Sequence, residues 1–201
     1  MMFRLVGAML MAASFAPAQA LQGGALVKAL RQGGYVIVMR HTSSPREIPD
    51  KQTANPDNTK PERQLDAEGR ATAAAMGQAL RDLKIPIAEV LSSPMYRALE
   101  TVKYARFGPA KPQVELGDNG QDMQGGTEAQ AVWLRKRVTQ FQPGTNVLLI
   151  THAPNLTRAF PQQADGVADG EALIFGPDGK GGAALVARVK VGDWPKLKGL
   201  D

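Results

Sequence analysis

Two histidines, His41 and His152, are the only imidazoles in this 201-residue chain, and each follows a short apolar run. The first run, Tyr35-Val36-Ile37-Val38-Met39, continues into Arg40-His41-Thr42-Ser43. The second, Asn146-Val147-Leu148-Leu149-Ile150, continues into Thr151-His152-Ala153-Pro154. An imidazole with an ordinary pKa near 6.5 is largely neutral at pH 7, so a ring nitrogen can attack without a separate base. Arg40 brings a planar donor matched to the oxygens of an anion such as phosphate. Apolar runs of this length suit strands covered on both faces, and in α/β sheets ligands gather beyond the carboxyl ends of the strands. A lone histidine is more often a core group bonded to backbone. Two of them at strand ends, one beside an arginine, predict a single anion-handling site.

The remaining residue types narrow the chemistry. The chain has no cysteine, which excludes disulfides, thiolate nucleophiles and cysteine-bound metal. Zinc takes three or four protein ligands, so two histidines make a poor metal site, and neither metal nor cofactor is expected. Thr42 and Ser43 offer hydroxyl donors beside His41, although small polar residues after a strand commonly serve only to form turns.

These groups need elements to hold them. Residues 25–32 have a helical pattern that Gly33-Gly34 stops before the first strand. Residues 43–64 are polar, with four prolines (Pro45, Pro49, Pro56, Pro61), and read as a mobile cover over the site that adds little to the core. Residues 65–83 form a helix capped by Asp66, with Ala73, Met76, Leu80 and Leu83 on one face. A strand over 87–91, a helix over 96–105 and a short strand over 114–116 follow. A glycine-rich loop, 117–126, leads to Thr127, the cap of a helix that runs to about residue 140 and aligns Leu134, Val138 and Phe141. A brief helix after Pro154 and strands over 172–175 and 184–191, joined by Gly176-Pro177-Asp178-Gly179, complete the pattern. The alternation predicts a single α/β domain: a mainly parallel sheet, helices on both faces and an antiparallel edge.

Residues 1–20 read as a separate piece. Arg4 precedes an uncharged apolar stretch, and Ala18-Gln19-Ala20 fits the small-x-small cleavage pattern of an export signal. The stretch is too short to span a membrane. The expectation is an exported, periplasmic or secreted protein, cut after Ala20, whose working domain is 21–201 and which keeps no integral membrane segment. Net charge is +5, and removing Arg4 with the signal leaves +4. That mild bias suits an anionic substrate. No cluster of basic residues interleaved with aromatics is present, so nucleic acid is not an expected partner. Oligomeric state is not readable from these features.

Three motifs occur in order: Arg40-His41, then Leu91-Ser92-Ser93-Pro94-Met95-Tyr96-Arg97-Ala98-Leu99-Glu100-Thr101, then Thr151-His152. Together they make residues 34–176 resemble the histidine phosphatase, or phosphoglycerate mutase-like, superfamily. The resemblance implies a phosphoglycerate mutase-like fold and phosphoryl transfer to His41. It also implies that Arg40, Arg97 and His152 bind the phosphate, with Thr42 as a further donor. Members often take a leaving-group acid from the region after the third strand. Glu115, Asp118, Asp122 and Glu128 lie there, and Glu171 opens a later strand; Asp122 and Glu171 are the preferred candidates.

Two departures matter. Ala153 stands where some members carry an aspartate, and Arg40-His41-Thr42-Ser43 replaces the Arg-His-Gly-Glu of the mutases. With the export signal, these point to a phosphatase acting on phosphorylated small molecules or glycans. Two other readings stay open: a phosphate- or sugar-phosphate-binding protein with little turnover, and an envelope phosphatase for lipopolysaccharide sugars.

Overall fold

A computed structural model describes residues 20–118 and 126–200. Its elements run in the order α1 (Gly23–Gln32), β1 (Tyr35–Arg40), α2 (Ala67–Asp82), β2 (Ile87–Ser92), α3 (Tyr96–Ala105), β3 (Lys111–Pro112), α4 (Glu128–Arg137), β4 (Asn146–Thr151), α5 (Ala153–Ala159), β5 (Ala172–Pro177) and β6 (Ala183–Val189). One six-stranded sheet has the order β3-β2-β4-β1-β5-β6. β1 pairs parallel with β4, β4 with β2 and β2 with β3, whereas β5 and β6 add antiparallel to the far side of β1.

The apolar runs of β1 and β4 are continuous because both faces of the sheet are covered, and alternate side chains serve different cores. Ile37, Met39, Leu148 and Ile150 pack with Leu30 of α1, Met76 and Leu80 of α2 and Val102 of α3. Val36, Val38, Val147 and Leu149 pack on the other face with Leu134 of α4 and Leu156 of α5. Fully burying each such Leu, Ile or Val contributes about 1.5–3 kcal/mol. The face predicted for α2 is the buried one, and Asp66 caps the helix by accepting from Gly69 N at 2.6 Å. Gly69 also permits close approach: a Cβ there would lie 2.1 Å from the carbonyl oxygen of Ser43, so only glycine lets α2 start against the chain leaving β1.

The expected elements differ from the structure in three places. Residues Val114–Leu116 form a 3-10 turn, not a strand, because Leu116 N and Gly117 N bond back to Gln113 O and Val114 O; the edge strand is Lys111–Pro112. Helix α4 ends at Arg137, so Phe141 packs on its core from the following loop. In the hairpin, Gly176 and Pro177 still belong to β5. The reversal comes at 178–182, where the Asp178 carboxylate accepts from Lys180 N at 2.7 Å and Gly182 N at 2.8 Å.

The 43–64 segment has no regular structure but is stitched down by polar bonds. Asn55 Nδ2 donates to the buried Glu100 carboxylate at 2.7 Å, and Glu100 also accepts from Leu65 N at 2.6 Å. The Glu62 carboxylate accepts from Tyr96 N at 3.0 Å, at the first residue of α3. Asp57 takes the Tyr96 hydroxyl at 2.5 Å and Lys103 Nζ at 2.6 Å. The expectation of a loose cover is therefore corrected. Its premise of little apolar burial holds, since Ile48 is exposed, but charged and amide side chains replace apolar packing as the fastening.

Candidate active site

Parallel register brings the two histidines together. Arg40 pairs with Thr151 as the last step of the β1–β4 ladder, so His41 and His152 are the next residues on neighbouring strands. Their rings lie 5.2 Å apart between centroids, tilted by 64°. Arg97 reaches the same point from the first turn of α3, which the Ser93-Pro94 corner at the end of β2 sets in place.

His41 is 3% exposed, and its Nδ1 lies 2.7 Å from the carbonyl oxygen of Thr42. A carbonyl only accepts, so Nδ1 carries the ring proton and Nε2 keeps its lone pair. Arg97 Nε donates to that Nε2 at 3.2 Å. Burial, helped by the charges of Arg97, Arg40 and Arg63 and opposed by the Thr42 carbonyl, lowers the His41 pKa to about 3. The imidazole is neutral at any ordinary pH. His152, 1% exposed, is likewise held well below its ordinary value by burial and then by His41 and the arginines. Its Nδ1 faces Arg97 Nη2 at 3.1 Å, and its Nε2 bonds Ser93 Oγ at 2.8 Å.

Arg97 is 1% exposed. Besides the two imidazoles it binds the carboxylate of Asp118, while its Nη1 is buried with no hydrogen-bond partner among the described residues. An unsatisfied buried guanidinium nitrogen is costly in a resting structure and useful where an anion arrives. Arg40 donates to Val167 O at 3.1 Å and pairs with Asp169 at 2.7 Å. These groups line a cleft of about 240 Å³ together with Ser44, Arg46, Arg63, Ala153 and Pro154. Larger hollows elsewhere on the surface lack histidine.

Of the predicted site residues, His41, Arg40, Arg97 and His152 meet in the cleft. Thr42 does not line it: its side chain is buried against Thr101, whose Oγ1 accepts from Thr42 N at 3.2 Å and lies 3.3 Å from Thr42 Oγ1. Ser43 is spent on Asp66 at 2.6 Å. Glu171 is also corrected. Its carboxylate takes Arg188 Nε at 2.8 Å and Ala168 N at 2.9 Å, an arrangement that fastens the start of β5 and keeps it out of the cleft lining. Burial would raise its pKa, but those bonds hold it below the usual carboxylate value. Asp122 lies outside the described residues. Glu115 bonds Gln113, and Glu128 sits in the first turn of α4 bonded to Arg135. Asp118 is the carboxylate candidate that lines the cleft. Arg63, Ser93 and Asp169 were not singled out from the sequence. Only Ser93 had a signal there, its place beside Pro94 at a strand end.

A sequence model of the histidine phosphatase superfamily (branch 1) matches residues 36–131, which carry two of the three motifs. Residues 36–131 thus carry the sequence pattern of the histidine phosphatase superfamily. Solved structures of that fold are similar over about three quarters of the chain. The protein histidine phosphatase SixA complexed with tungstate superposes with a TM-score of 0.57 at 18% identity, covering 79% of this chain and 98% of that one. A phosphoserine phosphatase mutant from Entamoeba histolytica, in complex with phosphoserine, gives 0.51 at 12% identity, covering 78% and 97%. Alpha-ribazole phosphatase from Shigella flexneri gives 0.50 at 16%, covering 75% and 94%. At these identities the likeness is one of fold. No curated protein matches the chain in sequence. Within the histidine phosphatase fold, the site above stands on its own geometry. Among the described residues, no group of three or more His, Cys, Asp or Glu is arranged to hold a metal ion.

Proposed function

We propose that this protein is an exported phosphatase that hydrolyses phosphomonoesters through a phosphohistidine on Nε2 of His41. The observation that carries the reading is the fixed tautomer of His41: the Thr42 carbonyl holds the proton on Nδ1, and the free Nε2 lone pair points at Arg97. Export rests on the signal-like residues 1–20.

In the first step the Nε2 lone pair forms a bond to phosphorus, and the bond from phosphorus to the ester oxygen breaks. Positive charge grows on the ring, and the bond from Nδ1–H to the Thr42 carbonyl strengthens with it. Arg97, Arg40 and His152 meet the three phosphoryl oxygens. Asp118 supplies the leaving-group proton. In the resting cleft it pairs with Arg97; a phosphoryl group that takes over Arg97 places negative charge beside the carboxylate, which favours its protonated form. The protonated acid then neutralises the departing alkoxide. In the second step Asp118 takes a proton from water, the water oxygen bonds to phosphorus, and the P–N bond breaks to restore neutral His41.

The test is turnover of p-nitrophenyl phosphate by the purified protein, with the steady state quenched in alkaline detergent, where a P–N bond survives, and the trapped phosphate then challenged with acid. The expected result is acid-labile phosphate on wild type and none on His41→Ala. Hydrolysis at an undiminished rate by His41→Ala would end this reading.

A further inference from the structure

Asp118 follows the 3-10 turn at Val114–Leu116 and Gly117, and belongs to no helix or strand. A general acid must stay within hydrogen-bond reach of the oxygen it protonates, and a misplacement of about 1 Å can cost about 100-fold in rate. A carboxylate on a loop therefore needs its backbone held from elsewhere.

Side chains from three elements hold it, through carbonyl oxygens of the residues just before Asp118. Thr151 Oγ1, at the end of β4, donates to Leu116 O at 2.7 Å. Asn155 Nδ2, from α5, donates to Gly117 O at 2.8 Å, and Gln130 Nε2, from α4, donates to the same oxygen at 2.8 Å. Two amides thus occupy both lone pairs of the carbonyl that directly precedes Asp118. Asn155 is 2% exposed, and Gly126 closes over its side chain: a Cβ there would lie 2.6 Å from Asn155 Oδ1. That Oδ1 has no hydrogen-bond partner among the described residues. The buried amide is therefore compensated through Nδ2, by Gly117 O and by a longer bond to Glu115 O at 3.4 Å.

The same stretch of chain holds His152. Asn155 N donates to His152 O at 3.1 Å, so the start of α5 fixes the imidazole and clamps the loop that carries the carboxylate. Asp118 Oδ2 lies 3.5 Å from His152 Nδ1 and binds Arg97. Neither Asn155 nor Gln130 lines the cleft.

Building on the phosphatase reading with Asp118 as leaving-group acid, we propose that Asn155 and Gln130 are positioning residues for that acid. By gripping the Gly117 carbonyl from two sides they set where the Asp118 carboxyl stands relative to Arg97 and His152. They touch neither the phosphoryl group nor the leaving group.

The experiment measures kcat and KM on propyl phosphate and on p-nitrophenyl phosphate, whose leaving oxygen needs no proton, for purified wild type, Asn155→Leu, Gln130→Glu and Asp118→Asn. Asn155→Leu keeps the size of the side chain and removes the donor. Gln130→Glu keeps the acceptor for Thr127 N, and with it the cap of α4, while losing the donor to Gly117. Either variant should lower kcat on propyl phosphate by about tenfold, with KM and turnover of p-nitrophenyl phosphate nearly unchanged. Adding Asn155→Leu to Asp118→Asn should cost nothing further on propyl phosphate, because residues that serve one step are not additive. Equal loss on both esters, an additive loss in the double variant, or no loss in either single variant overturns the proposal. Gln130→Glu decides alone if Asn155→Leu does not fold. If wild type hydrolyses neither ester, or Asp118→Asn fails to separate them, the underlying reading falls and the proposal with it; separation by Asp118→Asn alone overturns only the proposal.

Discussion

The Nε–H of Arg97 donates to Nε2 of His41 across 3.2 Å. The lone pair that would attack phosphorus is therefore aligned on the cation that would hold the phosphoryl oxygens. One guanidinium serves both ends of the bond that forms, and it reaches His152 as well, at 3.1 Å. Substitutions at Arg97 test this sharing directly.

Arg97→Lys keeps the charge but replaces a rigid fork by a single ammonium that cannot bond both imidazoles. We expect kcat to fall by about 100-fold or more, the usual scale for losing a preorganised oxyanion donor. Steady-state kinetics with unchanged circular dichroism checks it; a loss under tenfold would show that Arg97 is replaceable.

The pH behaviour follows from the histidines. With the His41 pKa lowered to about 3 and His152 also well below 6.5, neither ring should titrate between pH 8 and 5. Because the chain has just these two histidines, their NMR ring signals are unambiguous as a set, and both should stay flat over that range. In the unfolded chain the same groups bind protons below about 6.5. The unfolded state then carries more protons than the folded one, so stability rises with pH through this window and is lost as pH falls from about 6.5 toward 3. Urea unfolding at pH 7 and pH 5 measures it; equal midpoints would mean that the rings are charged in the folded state.

The leaving-group acid separates by substrate. Asp118→Asn should lower the rate on an alkyl phosphate by about 100-fold or more, within the range for general acid catalysis. The same variant should lose far less on p-nitrophenyl phosphate, whose leaving oxygen needs no proton. Glu171→Gln should weaken the pair with Arg188 and lower the melting temperature, with the rate on both esters little changed. A large rate loss in Glu171→Gln alone would return that residue to the acid role.

The stitching of the 43–64 segment predicts a stability effect where a loose cover would give none. Glu100→Ala removes the acceptor for both Leu65 N and Asn55 Nδ2. Leaving such buried donors unpaired costs about 1–3 kcal/mol. The urea midpoint should drop accordingly, and an unchanged midpoint would mean that the segment is not fastened there.

The strands and the two histidines were legible because the signal is local: a continuous apolar run, then a polar residue at its end. Arg97 was legible through its motif. The acid was not, because one carboxylate in a sequence looks like another and its partners decide its role. Glu171 is taken by Arg188 from the neighbouring strand of the hairpin, and Asp118 is drawn to Arg97 from another element. Thr42 reads as a donor beside the nucleophile, yet its orientation depends on Thr101, far off on α3. The Val114–Leu116 turn was misread because apolar side chains next to a proline fit an edge strand as well as a 3-10 turn. The 43–64 segment was misjudged for a related reason: polar composition predicts exposure, but not which amides and carboxylates meet.

The sheet order has a consequence for how the protein comes into being. β4 is the last of the four parallel strands to be synthesised, yet it lies between β1 and β2 and pairs with both. A nascent chain that has emerged only as far as α4 has neither His152 nor the strand on which the neighbouring ends of the sheet are joined. Pairings this distant in sequence form late and slowly, after loop closure has been met. The two imidazoles therefore come into contact only when the centre of the sheet closes. The strand that fills the centre of the sheet is thus the one that pairs the histidines, and Asp169, β5 and β6 are added to that centre afterwards.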